Sequence, residues 1–209
     1  MSSQSRIARS LAAVAFIGAA FGATPAAHAA TNKCKVKRST TLTKSGYARV
    51  YAKNDAAIVC VKKTGKRFEL AGAQPTEDVF TLGGKFVGFS SLSPEFDETT
   101  AHTMVNVVHI TDGRIPEFLP TDTGGQVGAI VVKPNGAAAW AVTPLDDPEM
   151  AYVQGTDRQN HSPDLLSDTE LGGIDTSSLT SGPAGHIEWT YADGTSGEAD
   201  LFEEPADLF

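Results

Sequence analysis

Past residue 45 the apolar side chains fall into short runs rich in β-branched and aromatic residues, and no stretch holds a helical i, i+3, i+4, i+7 spacing for more than about two turns. Runs at 47–52, 56–61, 85–90, 103–110, 127–132, 137–142 and 186–191 therefore predict strands. Turn-forming pairs separate them. Gly83-Gly84, Asp112-Gly113 and Asp193-Gly194 suit two-residue hairpins, and Lys133-Pro134-Asn135-Gly136 puts Pro and Gly where a type I turn wants them. The runs 127–132 and 137–142 are continuously apolar or small instead of alternating, which is the pattern of strands covered on both faces. The chain reads as all-β and antiparallel.

The hairpins recur along the chain. A first turn (Asn54-Asp55, Gly83-Gly84, Asn135-Gly136, Ala184-Gly185) precedes a strand that carries a bulky or buried residue shortly after it, at Cys60, Phe89, Trp140 and Trp189. A second turn (Thr64-Gly65, Asp112-Gly113, Gly155-Thr156, Asp193-Gly194) leads to Leu70, Leu119, Leu166 and Leu201. A period of about 45 to 50 residues suits one blade of a WD40-like propeller, whose four short strands are covered by the neighbouring blades. Units at about 45–82, 83–126, 127–172 and 173–202 predict an antiparallel four-unit β-propeller-like repeat within a single domain, 30–209, that ends in an acidic tail. A β-sandwich or an open β-repeat array is the alternative. Closure of a ring would pair residues 47–51 with the last unit, around Trp189 and Leu201.

Several stretches carry a resemblance. Val132-Lys133-Pro134-Asn135-Gly136 through Trp140, Gly173-Ile174-Asp175-Thr176-Ser177-Ser178-Leu179, Glu188-Trp189-Thr190 and Gly197 through Leu201 resemble the blade pattern of uncharacterised exported actinobacterial proteins. Ala48-Arg49-Val50-Tyr51, Val59-Cys60 and Thr64-Gly65-Lys66-Arg67 resemble their first unit. The resemblance covers most of 34–202 and implies a β-propeller-like repeat without a particular activity.

Residues 1–29 read as a Sec-type signal peptide. Arg6 and Arg9 form a positive start, Leu11 to Phe21 is apolar but too short to span a bilayer, and Ala27-His28-Ala29 supplies the cleavage pattern. The expected product is secreted or associated with the cell envelope, with no stable membrane insertion. Export also decides how the cysteines are read. Cys34 and Cys60 are the only pair, and an oxidising compartment predicts a disulfide between them. The loop it closes is worth about 3.5 kcal/mol in the chain-entropy description.

The formal charge of -8, from 17 basic and 25 acidic side chains, conceals a strong segregation. Residues 30–67 hold eleven Lys or Arg and one acid, Asp55, whereas residues 68–209 hold four bases and 24 acids. Such single-sign regions are interaction surfaces or solvated faces. Acid-rich loops at 92–101, 144–150 and 157–172 lengthen the second and third units. Glu95, Asp97, Glu98, Asp146, Asp147 and Glu149 are the candidate binding residues, because on one face they would form an electronegative rim for a cation, a basic peptide or a sugar. Ca²⁺ is the one cofactor such carboxylates suggest.

Catalytic signatures are absent from the sequence. There is no HExxH, P-loop or GxGxxG, and Gly88-Phe89-Ser90-Ser91-Leu92 lacks the final glycine of a nucleophile elbow. His102 and His109 stand an odd number of residues apart, on opposite faces of a continuous strand, and so make no two-ligand clip. The expectation is an exported, non-enzymatic interaction or structural module whose partner is a protein or cell-envelope ligand. Nucleic acid is disfavoured by the net charge. The alternative is an extracellular hydrolase or calcium-dependent binder working through the acidic loops.

Overall fold

The computed structural model describes residues 33–92, 103–111, 125–156, 163–183 and 185–201. The chain divides into Met1–Thr31 and Asn32–Phe209; the predicted leader and the acidic tail at 203–209 lie outside the described residues. Fourteen strands form four antiparallel meanders, and no α-helix occurs among the described residues. Sheet one is β1 (Thr40–Lys44), β2 (Ala48–Lys53), β3 (Ala56–Val61) and β4 (Arg67–Glu69). Sheet two is β5 (Phe80–Gly83), β6 (Phe86–Leu92) and β7 (Thr103–His109). Sheet three is β8 (Gly125–Val132), β9 (Ala138–Pro144), β10 (Tyr152–Thr156) and β11 (Asp164–Leu165), and sheet four is β12 (Thr180–Ser181), β13 (His186–Thr190) and β14 (Ser196–Asp200).

Alternation of side chains across each strand sends successive residues to different clusters, and this builds a stack of sheets. Ala48, Val50, Ala57 and Val59 of sheet one meet Val87, Phe89 and Val108 of sheet two. The opposite face of sheet two gives Val105 and Val107 to a second cluster with Ile130, Ala138, Trp140 and Val142 of sheet three. The other face of sheet three, through Ala137, Ala139, Ala141 and Val153, packs on Ile187, Trp189 and Leu201 of sheet four. Residues 138–142 of β9 are therefore buried on both sides, as their unbroken apolar run predicts. Trp140 and Trp189 each fill the space between two sheets. Among the described residues no apolar cluster joins the fourth sheet to the first.

First strands lie against one another in turn: β1 with β5, β5 with β8, and β8 with β12. Sheets two and three come so close that a Cβ on Gly83 would stand 2.0 Å from the Val132 carbonyl oxygen, so only glycine fits there. This close approach corrects the reading of Gly83-Gly84 as the turn. The hairpin register pairs Gly83 with Phe86, which leaves Gly84 and Lys85 as the turn residues. The five-residue connection at 191–195, closed by Tyr191 N–H to Thr195 O at 2.8 Å, likewise replaces the two-residue hairpin expected at Asp193-Gly194. The turn at 133–136 forms as expected, with Gly136 N–H donating to Lys133 O at 2.9 Å.

Two further expectations are overturned. Phe89, Trp140 and Trp189 occupy the second strands of their sheets, but Cys60 is on β3, the third strand of sheet one. The Asn54-Asp55 turn joins the second strand to the third, so the repeat as read is one hairpin out of phase there. Residues 48–51 cannot close a ring by pairing with the last unit either, because β2 is already hydrogen-bonded to β1 on one edge and β3 on the other.

Outside sheet one, the Cys34–Cys60 disulfide forms with Cα atoms 5.7 Å apart, and Cys34, Tyr51 and Cys60 are buried together. Arginines bind the tethered segment to the sheet: Arg49 Nη1 donates to Cys34 O at 2.8 Å and Arg67 Nη2 to Lys33 O at 2.8 Å. The Arg49 guanidinium also stacks 4.8 Å from the centre of the Tyr51 ring.

Candidate functional site at the loop end of the stack

Strand direction sorts the connections into two ends. Turns between first and second strands gather at one end, where Lys133 Nζ of sheet three donates to Ser181 Oγ at 2.8 Å, to Gly182 O at 3.0 Å and to His186 O of sheet four. This ammonium is only 1% exposed and is bound by the hairpin it anchors. Exposed Lys44, Lys63, Lys66 and Lys85 stand at the same end. The connections between second and third strands lie at the other, the loop end.

At the loop end β9 finishes on Pro144, opposite the start of β8 at Gly125. Residues 145–150 are all exposed and close with a single 3-10 turn, Pro148–Met150, in which Pro148 stands at a helix start, where its missing N–H costs nothing. The segment 168–175 holds this loop from the side. Ile174 N–H donates to Ala151 O at 3.0 Å, and a Cβ on Gly173 would fall 1.9 Å from the Glu149 carbonyl oxygen. Tyr191 Oη accepts the Asp168 N–H at 2.9 Å, which fastens that segment to sheet four.

The two loops bring together exposed Asp146, Asp147, Glu149, Asp168 and Glu170 with three exposed apolar side chains: Leu145 at 60%, Met150 at 36% and Leu171 at 51%. From 134 to 201 the described residues include no Lys or Arg to neutralise them. Asp175 and Asp193 border the same end. Hydrogen bonds from Ser177 and Thr195 respectively hold both carboxyls below the ordinary range, so they stay ionised to lower pH.

Of the residues predicted from the sequence, Asp146, Asp147 and Glu149 lie side by side in this site, whereas Glu95, Asp97 and Glu98 fall outside the described residues. The connection that carries them leaves sheet two at Leu92 and returns at Thr103. These two residues line a crevice of about 120 Å³ with Glu77, Asp78 and the start of β8, also at the loop end. In it Asp78 is half-buried, and desolvation chiefly raises its carboxyl above the ordinary value, against lowering hydrogen bonds from Gln74 N–H and Ser90. A wider cleft of about 430 Å³ opens beside sheet one between Arg38, Lys53, Asp55 and Gln74, so the loop end is mixed in charge there and acidic over sheet three. Leu145, Met150 and Leu171 were not singled out by sequence reasoning, although apolar residues inside acid-rich, proline-bounded loops are a visible signal.

No three His, Cys, Asp or Glu side chains among the described residues gather around a common point fit for a metal ion. The ring nitrogens of His186 face carboxylates. Its Nδ1 is 3.0 Å from Asp200, and its Nε2 is 3.4 Å from Glu198 and 3.6 Å from Glu188. The arrangement can hold cations or cationic side chains at its surface.

No protein-family model matches the chain, and no curated protein matches it. Among solved structures it is similar to the crystal structure of the computationally designed Ika4 protein, at 16% identity and a TM-score of 0.49, covering 80% of this chain and 95% of that one. Among the described residues no helix is long and apolar enough to cross a membrane. The disulfide points to an oxidising, extracellular environment.

Proposed function

We propose that the protein is an exported, non-enzymatic interaction module with a β-propeller-like arrangement of four sheets, whose loop end binds a cationic, partly apolar segment of a partner protein. The succession of first strands, β1 to β5 to β8 to β12, supports the propeller-like reading. The predicted leader and the disulfide support export. The observation that carries the binding function is the grouping of Leu145, Met150 and Leu171 with Asp146, Asp147, Glu149, Asp168 and Glu170, on loops anchored by backbone contacts. Exposed apolar side chains rimmed by charge mark interaction sites, and an acidic field speeds encounter with a basic partner while the apolar side chains lengthen its stay.

A short synthetic Lys/Leu peptide, titrated by calorimetry against a Glu/Leu peptide of equal length, tests this. The expected result is binding of the basic peptide alone, weakened at least about tenfold by Leu145→Ser with Leu171→Ser, and made slower in onset by Asp146→Asn with Asp147→Asn. Equal affinity for both peptides, or binding unaffected by all four substitutions, would sink the reading.

A further inference from the structure

The two terminal sheets differ in what covers their outward faces. On sheet four that face consists of His186, Glu188 and Thr190 of β13 opposite Asp200, Glu198 and Ser196 of β14. Glu188, Glu198 and Asp200 are 56, 76 and 80% exposed, and among the described residues no other sheet lies over them. The register also sets Glu188 directly against Glu198, a like-charge cross-strand pair that opposes the sheet it sits in. His186 Nε2 stands 3.6 Å from Glu188 and 3.4 Å from Glu198, and a further cation placed over this face would offset the excess of its three carboxylates over that one ring. On sheet one the outward layer is the disulfide-tethered segment, which presents exposed Lys33, Lys35, Lys37 and Arg38. The ion pairs found among the described residues all involve His186, and none involves these four cations.

We propose that these faces are complementary halves of one contact, and that the acidic outer face of sheet four docks on the basic outer layer of sheet one of a second copy of this chain. The interior sheets already show that faces of this stack are built to be covered, and charge complementarity selects the partner. Because the two halves differ, the contact is heterologous and each copy offers one of each. The surface is separate from the loop end, so peptide binding there can fail without affecting this proposal.

Sedimentation velocity on the oxidised protein over a concentration series tests it first without any variant. At about 10 mM salt the screening length is about 30 Å and at about 1 M only about 3 Å, so association rising with concentration is expected in the first and absent in the second. A monomer at every concentration in low salt overturns the proposal. Charge exchange then identifies the faces. Glu188→Lys with Glu198→Lys makes both outward faces basic, and Lys35→Glu, Lys37→Glu and Arg38→Glu together make both acidic, leaving only Lys33 among the four cations of sheet one. Each variant alone is expected to remain monomeric, and their equimolar mixture to associate again, since each then offers what the other lacks. Association of either variant alone, or a mixture that stays monomeric, counts against the contact. All five positions are exposed, and an unchanged β-sheet circular dichroism spectrum with no free thiol verifies the fold.

Discussion

Sheets one and four are both ends of the same stack, each with one face packed on a neighbour, yet they finish the other face by opposite means. Sheet one is covered by a segment that the Cys34–Cys60 bond and the Arg49 and Arg67 side chains hold in place, and its outermost layer is basic. Sheet four presents its own strands, and the layer is acidic. A terminal sheet can thus be finished by covering its apolar positions, as Tyr51 and Ile58 are covered by Cys34 and Val36, or by having polar residues at them. Covering contributes stability, while charge contributes solubility and a docking surface. Replacing Cys34 and Cys60 together by Ala should therefore lower the unfolding free energy by about 3.5 kcal/mol, read from urea titrations of the oxidised protein. Converting Glu188 and Glu198 to Gln should change it by less than about 0.5 kcal/mol, as exposed polar substitutions do. A disulfide effect below about 1 kcal/mol would mean that the covering segment is held by its other contacts.

A smaller loss is expected where sheet four meets the interior. Lys133 spans that junction with its ammonium enclosed by the β12–β13 hairpin, so Lys133→Met leaves hairpin acceptors without their donor. Hydrogen bonds to a charged group contribute about 1.5–3 kcal/mol, and the loss should fall in that range. The loss should be accompanied by faster amide exchange at Gly182 and His186, whose N–H groups close the hairpin, with little change in sheet one. Uniformly faster exchange across all four sheets would show that Lys133 supports the whole stack and not its fourth sheet.

These two sites also show what the sequence carries and what it does not. Periodicity reports burial, and burial was enough to place β2, β3, β6, β7, β8, β9 and β13, each within two residues at either end. Of the strands missed, β4, β11 and β12 are two or three residues long, and the Ser-Gly-Glu-Ala-Asp of β14 is too polar to show a pattern. Their place is set by pairing with a neighbour, which is a tertiary fact. Cys60 misled the repeat because its burial is set by Cys34 and not by the neighbouring sheet, and Gly83 misled it because a glycine needed for close approach looks like one needed for a turn. Asp146, Asp147 and Glu149 were legible as an acid-rich loop, but their grouping with Glu170 and Leu171 depends on the 1.9 Å clearance at Gly173. Lys133 gave no signal at all, since a lysine before Pro-Asn-Gly reads as a solvated turn residue.

The smallest expected effect lies at the inner side of sheet one, in its connection to sheet two. Asp78 accepts the Gln74 N–H and the Ser90 hydroxyl while half-buried, and desolvation, with Glu77 adding to it, raises its carboxyl above the ordinary value of 3.8. A raised folded-state value means that the folded protein binds this proton more tightly than the unfolded chain. The contribution therefore favours folding below the unfolded value and is lost as pH rises through the folded one. At neutral pH the wild-type protein bears the cost of a charged, partly desolvated carboxylate. Asp78→Asn removes that charge, keeps an oxygen for the Gln74 N–H and offers its amide to Ser90 Oγ. The variant should accordingly be the more stable protein at neutral pH, and its advantage should shrink as the wild-type carboxyl protonates on acidification. Asp175 and Asp193 act in the opposite sense: their values are lowered, so their contributions are present above the unfolded value and lost as pH falls. They are common to both proteins and cancel in the difference. Urea titrations of the pair at neutral pH and near pH 3 read it directly. An Asn variant that is less stable at neutral pH, or a gap that does not change with pH, would show that the hydrogen bonds to Asp78 outweigh its desolvation.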